Sequence, residues 1–501
     1  MQLIIIMVSS LLISLTVLAD DSIQPISNHK DYGLLGEQLL QEQQYDKAII
    51  ATRQAIFKAQ ENNAVAWLIR WQWQLGKIFV KQGNTDQAID AFSQAVHILV
   101  PSGTAFGWQM TECNVPNNIS LYQKLRPLFF ELIDLLLQRA KKADLRHAID
   151  TIEKLKVADI EYYFNNCFNT ISEKNIVLDS TTAVIYPLLL NERLELLVSS
   201  DNNTIHQFKV IVKRGKVIDT VQKFRSSLPI GRYDQENTDY LFYAQQLYQW
   251  LIEPLREVLE RQSIDTIVFV PEGILNMMPM AALHDGKQFL IENFAVAITP
   301  SLNLTDLSPN FVEQILISGL TDKSQGYPKL PYAQAEIDFM IEIYPDVKKL
   351  LNKQFTANDF KQSIKKSNYD LIHIVSHAEF AENVKDSFIV TNDDKLRFNN
   401  KLFTKHLELL TLSACNTAQG DNEWAALGLS GVAVQTGAKS SLATLWKAHD
   451  EVTYHLIKDF YKYKSSNSKA KALQKSQQEV LKSTFHHPFY WADLVLIGNW
   501  L

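Results

Sequence analysis

Two short runs constrain this chain more than any other feature. The first, Asp370-Leu-Ile-His-Ile-Val-Ser376, runs straight into His377. The second, Leu407-Glu-Leu-Leu-Thr-Leu-Ser413, runs into Ala414-Cys415-Asn416-Thr417. Both are apolar and rich in β-formers, as strands buried in a parallel sheet are. In open parallel sheets, chemistry gathers just beyond the carboxyl ends of the strands. If the two strands are neighbours, an imidazole and a thiol stand side by side. That pair is the least that nucleophilic acyl transfer needs, because the imidazole takes the thiol proton and leaves a reactive thiolate.

The same residues carry a family resemblance. Residues 369–378 (YDLIHIVSHA) and 410–418 (LTLSACNTA) resemble the His and Cys motifs of CHAT-domain proteins. These are caspase-like peptidases commonly attached to tetratricopeptide (TPR) repeats, in the group that includes caspases, gingipains and separase. Flanking matches stand in order at 269–284 (FVPEGILNMMPMAALH), 299–302 (TPSL), 437–446 (GAKSSLATLW) and 488–498 (PFYWADLVLIG). Together they cover the chain from about residue 175 onward, which is far more specific than a lone dipeptide. The resemblance implies a caspase-like α/β three-layer sandwich with a mostly parallel sheet. A degenerate half (175–310) would be followed by a catalytic half (311–501), preceded by an all-α TPR-like array (31–170).

Net charge is −6, with 21% charged residues, so no basic excess points to nucleic acid and no acidic block forms a solvating tail. Proteins or peptides are the expected partners. Residues 3–19 form one uncharged apolar run followed by Asp20-Asp21. This reads as a signal peptide (1–19) cut near Ala19, giving a periplasmic or secreted protein with no stable membrane span; the alternative is an uncleaved N-terminal anchor. The cysteines are Cys113, Cys167 and Cys415. An oxidising compartment would permit a Cys113–Cys167 bridge, and two unrelated buried thiols fit equally well.

Between residues 31 and 101 the apolar pattern is helical and repeats. Leu35-Gly36, Ala48 and Ala55 recur 40 residues on as Leu75-Gly76, Ala88 and Ala95. Small residues at these spacings let two helices pack closely, as in TPR hairpins, whose usual period is about 34. The longer period implies a longer inter-helix turn around residues 60–65. A short solenoid of this kind offers an inner surface for a partner segment or regulator. A plain helical packing domain is the other reading. Two long helices follow, near 121–143 and 146–164, with a third, degenerate repeat around 137–164.

From residue 175 the period changes. Strands are expected at 182–186, 194–198 and 207–212, a helix over 239–262, and strands at 266–271 and 294–299. Beyond 314 strands alternate with helices, with helices at 333–344, 357–366, 424–437, 450–464 and 470–482. That alternation means α/β with a mostly parallel sheet.

Cys415 is the expected nucleophile and His377 the general base and acid. His373, on the same strand face by period two, is given a packing or orienting role. The backbone N–H groups of Ala378 and Cys415 are the natural donors for a developing oxyanion. CHAT proteins usually carry Gly after this His; if position 378 needs φ > 0, Ala is strained there. No third member of the pair can be named. Asp450 matches a recurrent Asp of the family, which would line a specificity pocket favouring a basic side chain; it equally suits a helix N-cap. His486-His487 lack metal-ligand spacing, Tyr490 and Trp491 suit a core, and neither metal nor cofactor is implied. The leading reading is a cysteine endopeptidase acting through Cys415 and His377. The rivals are a catalytically silent scaffold and an esterase or transpeptidase on the same pair.

Overall fold

A computed structural model describes residues 28–100, 119–164, 178–200, 204–229, 237–308, 314–381, 384–397, 407–414, 431, 434–447 and 449–501. The apolar run at 3–19, the helix expected at 424–437 save residues 431 and 434–437, and all three cysteines lie outside these residues. The described residues fall into two compact units, divided inside one helix between Ile152 and Glu153. Among them, no helix is long and apolar enough to cross a membrane.

The first unit is helical. α1 (His29–Gln41) and α2 (Tyr45–Glu61) form one hairpin, α3 (Val65–Gln82) and α4 (Thr85–Leu99) the next. The repeated small residues do what their spacing predicts. A Cβ on Gly76 would fall within the Phe92 ring, and one on Gly36 would meet Thr52 and Gln74. Ala48, Ala51, Ala55 and Ala59 are all fully buried along α2. The array is TPR-like, but the longer period has another source than the one expected. Only Asn62, Asn63 and Ala64 separate α2 from α3, so the extra residues lengthen the helices, which reach 17 and 18 residues. Left-handed residues stop the helices: Gln43 (φ 59°) after α1, Asn63 (φ 50°) after α2 and Gly83 (φ 81°) after α3. α5 (Ile119–Arg139) and α6 (Lys142–Phe164) follow. Their turn is closed by Asp144, which accepts from Lys141 N–H at 3.1 Å and from Arg139 Nε and Nη2 at 2.8 and 2.6 Å.

The second unit is built on a sheet of eleven described strands. The N-terminal strands are β1 (Thr182–Leu189), β2 (Leu194–Ser199), β3 (Ile205–Val210), β4 (Thr266–Phe269) and β5 (Ala295–Ile298). Then come β6 (Ile315–Gly319), β7 (Lys348–Leu351) and β8 (Leu371–Ser376). A separate three-stranded sheet holds β9 (Ala378–Glu379), β10 (Phe388–Val390) and β11 (Lys395–Arg397). β12 (Leu407–Ala414), β13 (Ala438–Thr444) and β14 (Leu494–Gly498) complete the large sheet. β1, β4, β5 and β14 run parallel to one another, as do β13, β12, β8, β6 and β7; the two sets meet antiparallel at β13 and β14. The sheet is mostly parallel, with an antiparallel margin at β2 and β3.

The helix expected over 239–262 is broken. α8 (Asp239–Leu251) stops short of Pro254, which lacks an N–H to continue it, and a 3-10 turn at Glu253–Leu255 intervenes; α7 (Arg214–Ser227) precedes it. Beyond β6 come α9 (Ala333–Ile343), α10 (Ala357–Lys366), α11 (Asp450–Lys464) and α12 (Lys469–Leu481). On one face of the sheet, Ile372, Ile374, Leu410 and Leu412 join a core with Phe355 just before α10 and Phe360 within it, Phe388 and Ile389, and Ile160 and Phe164 at the end of α6. Glu153, on α6, is buried and accepts from Tyr186 O–H, Ser301 O–H and the N–H groups of Leu302 and Asn303. That fixes the helix to the sheet by satisfying every acceptor position it buries.

Candidate active site

The apolar runs 370–376 and 407–413 are β8 and β12. They are adjacent and parallel, with Leu409 opposite Leu371, Thr411 opposite His373 and Ala414 opposite Ser376. His377 is therefore the first residue beyond one member of the last registered pair. Cys415 follows the other member in the sequence and lies outside the described residues, as does its N–H.

His377 is half-buried and held from one side. Its Nε2 lies 2.9 Å from the Pro328 carbonyl oxygen, and its ring sits 5.0 Å from the Tyr327 ring. A carbonyl can only accept, so Nε2 carries the proton and Nδ1 presents a lone pair. Sequence reasoning missed this partner because a backbone acceptor has no residue signature. Tyr327 itself is pushed up by burial and by the Glu379 charge.

Ala378 lies in an extended strand and is absent from the positive-φ residues, so it carries none of the strain considered for that position. It pairs with Ile389, while the preceding His377 carbonyl accepts from Val390 N–H at 2.7 Å. In an antiparallel ladder that makes Ala378 a non-hydrogen-bonded pair, with its N–H directed away from β10. Ser376 Oγ donates to the Val390 carbonyl at 2.6 Å, and the Tyr163 hydroxyl donates to the Ala381 carbonyl at 2.6 Å. The segment after His377 is thus tied down on both sides.

Asp450 is not an N-cap. His449 occupies that position without a side-chain bond, and Asp450 opens the first turn of α11. Its Oδ2 instead accepts from the N–H of Tyr332, the residue that caps α9, at 2.6 Å. Burial pushes the carboxyl up; the Tyr332 N–H pulls it down, Glu336 pushes it up, and His449 and His377 pull it down.

Residues 242–499 match the CHAT domain family. The chain belongs to the CHAT-domain family. Solved structures similar to it include the complex of the pro- and mature domains of RgpB from Porphyromonas gingivalis. That likeness has 9% identity, covers 57% of this chain and 76% of that one, and has a TM-score of 0.35. The Arg-specific cysteine proteinase gingipain R is similar at 10% identity, over 57% of this chain and 74% of that one, with a TM-score of 0.35. TPR-like repeats of a putative kinesin light chain from Podosopora anserina are similar at 11% identity, over 47% and 90%, with a TM-score of 0.21. No curated protein matches the chain.

In this CHAT domain the remaining candidates are core residues. Trp491 is fully buried and Tyr490 nearly so. His487 accepts from Phe489 N–H through Nδ1 at 3.1 Å, capping a short 3-10 turn. His373 is also fully buried, bonded on both ring nitrogens, to Glu336 and to Tyr461. Glu336 escaped the sequence reading although its signal was there. It is a charge inside the apolar stripe of α9 made by Ala333, Ile337 and Met340.

Proposed function

We propose that this CHAT protein is a cysteine endopeptidase in which Cys415 is the nucleophile and His377 the general base and acid. One observation carries the reading. β8 and β12 are parallel neighbours in register up to Ser376 and Ala414, so His377 and Cys415 are the next residues beyond one registered pair. His377 has its Nε2–H engaged by the Pro328 carbonyl, which leaves Nδ1 as the base.

In this reading Nδ1 takes the Cys415 thiol proton and the thiolate attacks the peptide carbonyl. The oxyanion is met by the N–H groups of Ala378 and Cys415. Collapse breaks the C–N bond, and the imidazolium returns its proton to the leaving amine. Water then adds to the acyl-enzyme, giving its proton to Nδ1, and the thiol is released with the carboxylic acid product. Asp450 would favour a basic side chain before the scissile bond. The helical array would hold a protein partner or regulator. Ala378 is not at positive φ, which favours the peptidase reading over a silent scaffold.

The test is cleavage of a denatured-proteome peptide mixture, with new termini identified by mass spectrometry. Wild type should generate termini, enriched after Lys or Arg, that Cys415→Ala does not. Equal termini from both proteins would refute the peptidase reading. Cleavage that keeps its basic preference in Asp450→Asn would remove Asp450 from the specificity pocket.

A further inference from the structure

Below the strand ends, on the sheet face covered by α9 and α11, five buried side chains form one network. Glu336 Oε1 lies 2.9 Å from His373 Nε2, and Glu336 Oε2 accepts from the Ser413 hydroxyl at 2.9 Å. His373 Nδ1 lies 3.2 Å from the Tyr461 hydroxyl, which lies 2.7 Å from the Thr411 hydroxyl. None of the five is more than 6% exposed. Donors and acceptors can be assigned throughout. With the carboxylate ionised and the imidazole neutral, His373 donates through Nε2, Nδ1 accepts from Tyr461, and Tyr461 accepts from Thr411. The chain of bonds runs one way and ends on the carboxylate.

That carboxylate spans the two strands of the site. His373 stands on β8 four residues before His377, and Ser413 on β12 two residues before Cys415. The helix bearing Glu336 also governs the His377 contact: the segment leading into it holds Pro328, whose carbonyl binds Nε2, and Tyr332, whose N–H is fixed by Asp450. Stability alone does not call for such a group. Apolar side chains of similar volume hold packed elements together without the desolvation cost of a buried charge. What two charge-assisted bonds add is direction and fixed spacing.

We infer that Glu336 is the positioning residue of this site, setting the offset between the ends of β8 and β12 and the seat of the His377 imidazole. The inference rests on the Cys415–His377 reading, and it places Glu336 behind the reacting groups rather than among them. Glu336→Gln keeps the volume but brings an amide donor against the His373 or the Ser413 donor.

The test is inactivation of the full chain by a peptidyl acyloxymethyl ketone, with kinact and KI resolved and the adduct located on Cys415 by mass spectrometry. Glu336→Gln should lower kinact by about tenfold or more, with KI changed by less than about twofold and cooperative melting retained. In a His377→Ala background the same substitution should slow labelling no further, because it acts through His377. Ser413→Ala removes one hydroxyl and should show the same pattern at about threefold; it decides the matter if Glu336→Gln does not fold. An unchanged kinact in a folded variant, or a full additional loss on top of His377→Ala, overturns the inference while the peptidase reading stands. Wild type that gives no Cys415 adduct sinks both.

Discussion

Position 378 is where a single residue bears most on chemistry. CHAT proteins usually carry Gly there, yet Ala378 is extended and buried opposite Ile389. Restoring Gly should therefore bring no gain: Ala378→Gly should label at Cys415 within about twofold of wild type and lose about 0.5–1 kcal/mol of stability through backbone entropy. A large rise in labelling would show that the position needs a left-handed backbone after all. Asp493 makes a second residue-scale case. It is fully buried, and burial pushes its carboxyl well above the usual range against the pull of the Leu494 N–H and of its own N–H. A raised folded pKa means the native state binds the proton more tightly than the unfolded chain does. Its stability contribution is full below the ordinary carboxylate pKa of about 4 and is lost as pH rises through the raised value. Asp493→Asn should thus melt higher than wild type at pH 8, by on the order of 1–3 kcal/mol, with the difference closing below pH 4. An unchanged difference between pH 4 and 8 would contradict this.

At the scale of elements, the legible features were those with a periodicity or a forbidden residue. The small-residue spacing marked the helical hairpins, and buried parallel strands announced themselves as short apolar runs. The break in the helix expected over 239–262 has its signal in Pro254, which ends an amphipathic pattern that otherwise continues. The length of α2 and α3 was not readable, because a 40-residue period is met equally by long turns or long helices. Gly76 tests the packing directly. Gly76→Ala would drive a methyl into the Phe92 ring, and the overpacking should cost about 1–3 kcal/mol by denaturant unfolding. Helix propensity alone predicts the opposite sign, a gain of about 1 kcal/mol, so the direction decides. The α5–α6 turn offers another check. Asp144 is buried, and its bond to Arg139 holds its carboxyl below the usual range, so its contribution is present above pH 4 and is lost as pH falls through the lowered value. Asp144→Ala should destabilise the helical unit by about 2 kcal/mol at pH 7, and by less in acid. Equal destabilisation at pH 7 and pH 2 would contradict that.

Across the whole molecule, the candidate site is the product of strand order. His377 and Cys415 are 38 positions apart in the chain. The proposal joins them because β8 and β12 are neighbours in register, which the sequence could state as a condition and not as a result. What it could not carry at all are the groups that act by backbone or from a distance: the Pro328 carbonyl on His377, and Asp450 on the N–H of Tyr332. In the proposed site His377 activates Cys415. That activation is tested most directly by the rate at which a peptidyl acyloxymethyl ketone labels Cys415 in wild type and in His377→Ala, with mass spectrometry separating that cysteine from Cys113 and Cys167. Wild type should be labelled about a hundredfold or more faster than the variant. Equal rates, with both proteins folded, would contradict it.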